Sequence, residues 1–159
     1  LRQAGVASRA LFASLLAVVA AVSVTTPAKA GHDGNCRIDY EDGDLCLYQD
    51  INNGGGMLDF TRTDKDYTSA ADYFYEPGQQ GQPTGWNVND AASALKNREL
   101  TCEWYVFEDI EWGGDGFRYP YGLDFPDLRY LNIGNWNDRI SSHYKWTGTQ
   151  ECTNGSTGQ

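Results

Sequence analysis

The sequence predicts an all-β fold, a two-sheet sandwich built from two Greek keys, and three observations carry that prediction. Strand-forming residues come in short bursts between Gly, Asn and Asp turns, as in LCLYQD, MLDFT, EWYVFED and GFRYPY. Glycine makes up 17 of the 129 residues after position 30, well above the usual ~7%. One pattern of hairpin followed by turn is written twice at a spacing that fits a repeated supersecondary unit.

Residues 1–30 lie outside this fold. Arg2 and Arg9 give a basic start, Ala10 to Val24 is apolar except for Ser14 and Ser23, and Ala28-Lys29-Ala30 supplies small residues for a signal peptidase. The apolar run is shorter than the ~20 residues that span a bilayer, so 1–30 reads as a signal peptide removed before Gly31. The expected product is a secreted, extracellular protein with no membrane attachment, and residues 31–159 suffice for one domain.

The leader takes Arg2, Arg9 and Lys29, leaving nine basic residues against 22 acidic ones, a net charge of −13. That balance argues against nucleic acid as a partner and favours metal cations or basic proteins. Cys36, Cys46, Cys102 and Cys152 form an even set in an exported chain, which predicts two disulfides. Three pairings are open. A Cys36–Cys46 bond would staple a hairpin and leave Cys102 to join Cys152 in the C-terminal tail.

The first Greek key is expected over about 45–99 and the second over about 102–147. Aligned without gaps, YQDINNGGGMLDF (Tyr48 to Phe60) and FEDIEWGGDGFRY (Phe107 to Tyr119) share Asp50/Asp109, Ile51/Ile110, Gly54/Gly113 and Gly55/Gly114. Each stretch is followed by an Asn-Asp turn: Asn89-Asp90-Ala91-Ala92-Ser93-Ala94 in the first copy, Asn137-Asp138-Arg139-Ile140-Ser141-Ser142 in the second. Hairpin and turn lie 41 positions apart in the first copy and 30 in the second, so the first carries about eleven extra residues. The polar stretch GQQGQPTG, Gly78 to Gly85, is the natural place for part of them. Before it, TSAADYFYE (Thr68 to Glu76) is expected as one short helix or an irregular connection, stopped by Pro77-Gly78. The tail 153–159 is expected to fray.

Phe107, Trp112 and Gly114 fit the aromatic, four residues, aromatic, one residue, glycine signature of βγ-crystallin Greek keys. The first copy keeps Tyr48 and Gly55 but has Asn53 at the second aromatic position. The two Asn-Asp turns resemble the Asn/Asp-Asn/Asp-x-x-Ser/Thr-Ser motif of calcium-binding members. The chain therefore resembles the βγ-crystallin superfamily from roughly Cys46 to Trp146. Together, the leader, the CLYQD strand opening at Cys46 and the cysteine upstream most resemble exported actinobacterial proteins grouped with the streptomycete metalloproteinase inhibitor. The resemblance implies an extracellular peptidase as partner; the chain itself is expected to be a monomer. The type inhibitor presents its protease-binding segment in a short disulfide loop of the second half, and no such loop follows Cys102 here.

Calcium takes about six to eight oxygen ligands, and an Asn-Asp-x-x-Ser turn offers a carboxylate, a hydroxyl and a backbone carbonyl within a few residues. The resemblance implies side-chain ligation by Asp90, Ser93, Asp138 and Ser141, with backbone oxygens from Ala91 and Arg139 and from Gln49 and Glu108 in the hairpins. Two Ca2+ sites result, each fed by both halves. One carboxylate per site implies modest affinity, micromolar to millimolar. The other reading of these polar residues is turn capping alone.

An enzyme is not expected. The sequence has no G-x-S-x-G, no H-E-x-x-H and no cysteine placed as a free nucleophile, and His143 reads as a structural strand residue. The alternative to an inhibitor is a carbohydrate- or cell-wall-binding or stress-protective protein. Of the tryptophans, Trp112 and Trp136 are expected to pack, while Trp86, beside the extra loop, is expected at the surface.

Overall fold

The structure is a computed structural model and describes residues 32, 34–39, 43–77 and 82–146. The expected signal peptide, Cys152 and the tail lie outside the described residues. Among the described residues nine strands form two antiparallel sheets: β1 (Leu45–Asp50), β2 (Gly54–Phe60), β3 (Tyr73–Tyr75), β4 (Pro83–Asn87), β5 (Ala94–Asn97), β6 (Glu103–Phe107), β7 (Gly116–Tyr119), β8 (Asp124–Phe125) and β9 (Ser142–Trp146). The larger sheet runs β4-β3-β2-β1-β5-β8 and the smaller β7-β6-β9.

The two copies interlock through their third strands. Strand β8 belongs to the second copy by sequence, yet it pairs with β5 of the first, Leu95 opposite Phe125. Reciprocally, Asp64 of the first copy bridges to His143 of β9, with Asp64 N–H donating to the His143 carbonyl at 3.1 Å and His143 N–H to the Asp64 carbonyl at 2.7 Å. Each copy thus completes the other's sheet. This long-return pattern is the Greek-key topology that the doubled motif implies.

Apolar residues from both sheets meet in one core. Leu45, Leu47, Leu58, Phe60 and Leu95 pack in the same cluster as Trp104, Val106, Phe117 and Tyr119, as expected where neither sheet can bury its apolar face alone. At its start strand β1 is buried on its other face as well, where Cys46 is fully covered. There the N-terminal segment lies against the sheet: Gly34 N–H donates to Asp59 Oδ1 at 2.9 Å, and Cys36 is bonded to Cys46. Cys102 is disulfide-bonded too; its expected partner Cys152 is outside the described residues.

The two folded hairpins superimpose in conformation as they do in sequence. Asn52 and Asn53 have φ of 59° and 58°, Glu111 and Trp112 of 55° and 61°, and Gly55 and Gly114 of 67° and 69°. The left-handed region is unfavourable for a bulky residue and mild for asparagine. Asn53 therefore gives up ring packing but eases the turn. At Gly114 a Cβ would sit 2.9 Å from Asp109 Oδ2. Gly114→Ala is expected to cost about 1–3 kcal/mol from strain plus the clash, read as a lower urea midpoint at unchanged slope.

The extra residues of the first copy make something more ordered than a polar loop. Tyr73–Tyr75 is a strand rather than a helix, because Met57 of β2 offers it an edge partner at Tyr75, and Pro83–Asn87 returns beside it. The aromatic run YFY suits a pleated, half-buried surface better than a two-turn helix: Phe74 and Tyr75 are buried.

Candidate functional site

The two Asn-Asp turns face each other across the interlocked halves with matched geometry. Asp90 and Asp138 both adopt left-handed backbone, φ 51° and 56°, a conformation that aspartate tolerates through local hydrogen bonds. Asn89 Nδ2 donates to Asp90 Oδ2 at 2.9 Å and Asn137 Nδ2 to Asp138 Oδ2 at 2.6 Å. One residue earlier the symmetry continues: Asn89 N–H donates to Asn87 Oδ1 and Asn137 N–H to Asn135 Oδ1.

Two backbone bonds cross between the copies. Asp90 N–H donates to the Ile140 carbonyl and Asp138 N–H to the Ala92 carbonyl, each at 3.0 Å. Ser93 N–H and Ser141 N–H reach the Tyr48 and Phe107 carbonyls at 2.8 and 2.9 Å, so each turn is pinned to the strand that opens its own copy. Each turn is held from both halves, and its carboxylate is pre-positioned beside the other.

A cleft of about 410 Å³ opens at this junction, lined by Thr68, Asn89, Asp90, Glu108, Asp109, Ile110, Asp138, Arg139 and Ser141. Ser141 Oγ donates to Asp90 Oδ1 at 2.9 Å, which joins the serine of one turn to the aspartate of the other. Partial burial raises the Asp138 carboxyl above its usual range; the Asn137 amide opposes this and nearby Asp90 adds to it. The Asn89 side-chain oxygen is buried with no hydrogen-bond partner, an acceptor whose desolvation is uncompensated. Oxygen donors of this kind fit a hard cation.

The residues assigned from sequence do not all reach the cleft. Asp90, Glu108, Asp138, Arg139 and Ser141 line it. Ser93 is buried in the mirrored position, where its carbonyl accepts from Leu128 N–H, and Ala91 packs partly against the core. Gln49 Oε1 accepts from Gly56 N–H at 3.4 Å. Among the described residues no group of three or more His, Cys, Asp or Glu side chains is gathered to hold a metal.

The second copy also carries an ion pair absent from the first. The Arg139 guanidinium donates to Glu108 Oε1 through Nε at 2.6 Å and through Nη2, donates to the Asn135 carbonyl at 2.7 Å, and lies 5.0 Å from the Trp136 ring. This guanidinium holds the Glu108 carboxyl below its usual range, helped by the Asp115 N–H. The first copy has Ala91 and Gln49 at these positions. Comparing the copies at those two positions exposes the pair in the sequence, where the motif itself assigns both residues only a backbone carbonyl.

His143 is buried between Tyr67, whose hydroxyl meets Nδ1, and the Arg62 carbonyl, which accepts from Nε2 at 2.8 Å. It is a structural residue. Trp136 is buried, Trp112 is half-exposed with its Nε1 3.4 Å from the His143 carbonyl, and Trp86 is exposed.

No curated protein matches the chain. In fold it is similar to a βγ-crystallin domain solved to trace the evolution of the eye-lens fold, at 22% identity over 72% of this chain and 95% of that one, with a TM-score of 0.53. It is similarly related to spherulin 3a from Physarum polycephalum, solved by NMR, at 22% identity over 75% of this chain and 97% of that one, with a TM-score of 0.50. The family model that matches the chain is one of peptidase inhibitors, a non-enzymatic kind of protein. Residues 37–119, just over half of the chain, match the model of peptidase inhibitor family I36, and the chain belongs to that family.

Proposed function

We propose that the protein is a secreted, monomeric peptidase inhibitor whose two Greek keys are clamped together by calcium. The family match over residues 37–119 carries the inhibitory reading. The inhibitor works by occupying an extracellular peptidase, and the disulfides formed by Cys36 with Cys46 and by Cys102 keep the fold intact in an oxidising and proteolytic setting.

The paired turns support the calcium reading. One position would draw on Asp90 and Ser141 with the carbonyls of Arg139 and Glu108, the other on Asp138 and Ser93 with the carbonyls of Ala91 and Gln49. Calcium supplies a cross-link between the halves, stabilising the folded state by roughly 2.7 kcal/mol at a hundredfold excess over Kd. The Arg139 cation stands beside only the first position and opposes a second positive charge there. Arg139→Ala keeps the carbonyl and frees the Glu108 carboxylate. It is expected to tighten one calcium step several-fold in isothermal titration while leaving the other unchanged.

Inhibition is tested by titrating the protein into a panel of metallo- and serine peptidases that includes thermolysin and subtilisin. Saturable loss of activity in at least one is expected. Uniformly unaffected rates would transfer the reading to binding of extracellular carbohydrate or cell wall, for which retention on insoluble polysaccharide is the direct observation.

A further inference from the structure

We infer that the loop closed by Cys36 and Cys46 is a redox-sensitive catch on the link between the two copies. Residues 98–102 form that link, joining β5 to β6 and so the first copy to the second. The loop grips it from both sides of the disulfide. From the Cys36 side, Asp39 N–H donates to the Arg98 carbonyl at 3.3 Å and the Asp39 carbonyl accepts from Leu100 N–H at 3.1 Å, which bridges Asp39 to Glu99. From the Cys46 side, the Asp44 carbonyl accepts from Arg98 N–H at 2.7 Å and Gly43 N–H donates to Glu99 Oε1 at 2.7 Å. The two sides are joined in turn, with Asp44 N–H donating to the Arg37 carbonyl at 3.1 Å.

The contact is too close for a side chain. A Cβ on Gly43 would lie 2.5 Å from the Arg98 carbonyl oxygen and 2.7 Å from Glu99 Cα, backbone atoms that yield only if the link itself moves. The amides of Arg98 and Leu100 find their acceptors in the loop, and Gly43 supplies a donor to a carboxylate that is fully buried. Detaching the loop leaves these groups short of partners at the joint between the copies.

The disulfide sets how firmly the loop stays. Cys46 is fixed, fully buried in β1 between Asp59 of β2 and Lys96 of β5. Cys36 is half-buried between exposed Asn35 and Arg37, so its Sγ is the sulfur that a small dithiol reaches. The thiolate attacks Cys36 Sγ, the S–S bond breaks, and Cys46 leaves and takes a proton; the second thiol then displaces Cys36 and closes the reagent to a cyclic disulfide. Two electrons and two protons pass to the cysteines, and a small disulfide reverses the exchange. With the bond open, the exposed stretch 37–39 loses its cross-link to β1 and its hold on the link loosens. The catch is independent of the calcium and inhibitory readings. The secreted reading supplies its setting, since the bond closes when the chain leaves a reducing compartment for an oxidising one.

Amide hydrogen exchange tests the catch residue by residue. In the Cys36→Ala/Cys46→Ala variant the amides of Arg98 and Leu100 are expected to exchange about tenfold or more faster, while those of Asp90 and Asp138, bonded between the turns, stay within about twofold. The same selective change is expected in Gly43→Ala with the disulfide intact, a variant that decides the matter if the double variant does not fold. In a Cys102→Ala/Cys152→Ala background, millimolar dithiothreitol should reproduce the change and oxidised glutathione should reverse it. Unchanged exchange at Arg98 and Leu100 in the folded variants would overturn the catch. Equal acceleration at all four amides would overturn it too, since the bond would then act on overall stability alone. A Cys36–Cys46 bond that stays closed in the folded protein under millimolar dithiothreitol would make the loop a permanent brace and contradict its redox sensitivity.

Discussion

Glu99→Ala is expected to destabilise the protein by about 3–5 kcal/mol, the cost of leaving a buried charge without its partner. Glu99 and Lys145 are both fully buried, with Lys145 Nζ 3.2 Å from Glu99 Oε1. The carboxylate also accepts from Gly43 N–H at 2.7 Å, from Cys102 N–H at 3.1 Å and from Thr101 Oγ at 3.4 Å. Lys145 in turn donates to the Thr61 carbonyl at 3.2 Å and lies 5.2 Å from the Trp104 ring. Glu99 sits in the link between the two copies and Lys145 in the last strand, so the pair bolts one to the other beside Cys102. Truncation strands the ammonium and the backbone donors together. Replacing both members, Glu99→Met with Lys145→Met, should recover part of the loss, because apolar side chains of similar volume avoid the desolvation of either charge. Urea unfolding of the two single variants and the double variant gives the coupling directly. A Glu99→Ala midpoint equal to that of the unaltered protein would remove the pair from any account of stability.

A second large effect is acid destabilisation through His143. Burial pushes its pKa from the ordinary 6.5 down to about 3; the bond to the Arg62 carbonyl opposes the shift, while the charges of His32 and Lys145 add to it. In the folded state the ring stays neutral, with Nε2–H donating to Arg62 and Nδ1 accepting from Tyr67. The unfolded chain binds its proton near pH 6.5 and the folded chain only near pH 3. The unfolded state thus holds more protons throughout that window. Stability is complete above pH 6.5 and falls as pH drops toward 3, by up to about 4–5 kcal/mol over the whole window. Carboxylates titrate in the lower part of the same range, so the comparison that isolates His143 is with His143→Gln. That variant is less stable at pH 7, having lost the fitted ring, but its stability should change less between pH 6.5 and pH 4. An equal loss of stability between pH 6.5 and pH 4 in His143→Gln and in the unaltered protein, read from chemical denaturation, would contradict the assignment.

The doubled features were the legible part of the chain. Gly55 and Gly114, Asp90 and Asp138, and Ser93 and Ser141 stand at equivalent places, and local conformation follows local sequence, so the folded hairpins and left-handed turns could be read from single stretches. The Cys36–Cys46 pairing was within reach for a related reason: ten residues of separation left a hairpin staple as one of few geometries. Other features depend on partners distant in sequence. YFY at Tyr73 reads equally as the end of a short helix until the edge at Met57 selects a strand. Asp64 contributes a single bridge to the opposite sheet, too short for any periodicity. Glu99 and Lys145 look like ordinary solvated charges, 46 residues apart, and only the closed sandwich buries them together. The Arg139–Glu108 pair is hidden differently: the motif marks both positions for backbone oxygens, which any residue supplies, and so carries no information about their side chains.

In the cleft between the turns each carboxylate is oriented by its own asparagine and by a backbone bond to the other copy. If a cation binds there, it must link the halves, and linkage appears as stability. Thermal unfolding of the unaltered protein in millimolar calcium and in chelator is the most direct measurement. A rise in melting temperature with calcium is predicted, reduced in Asp90→Ala and in Asp138→Ala and abolished when both are replaced. Identical melting curves in calcium and chelator, with both variants indistinguishable from the unaltered protein, would contradict the shared calcium clamp.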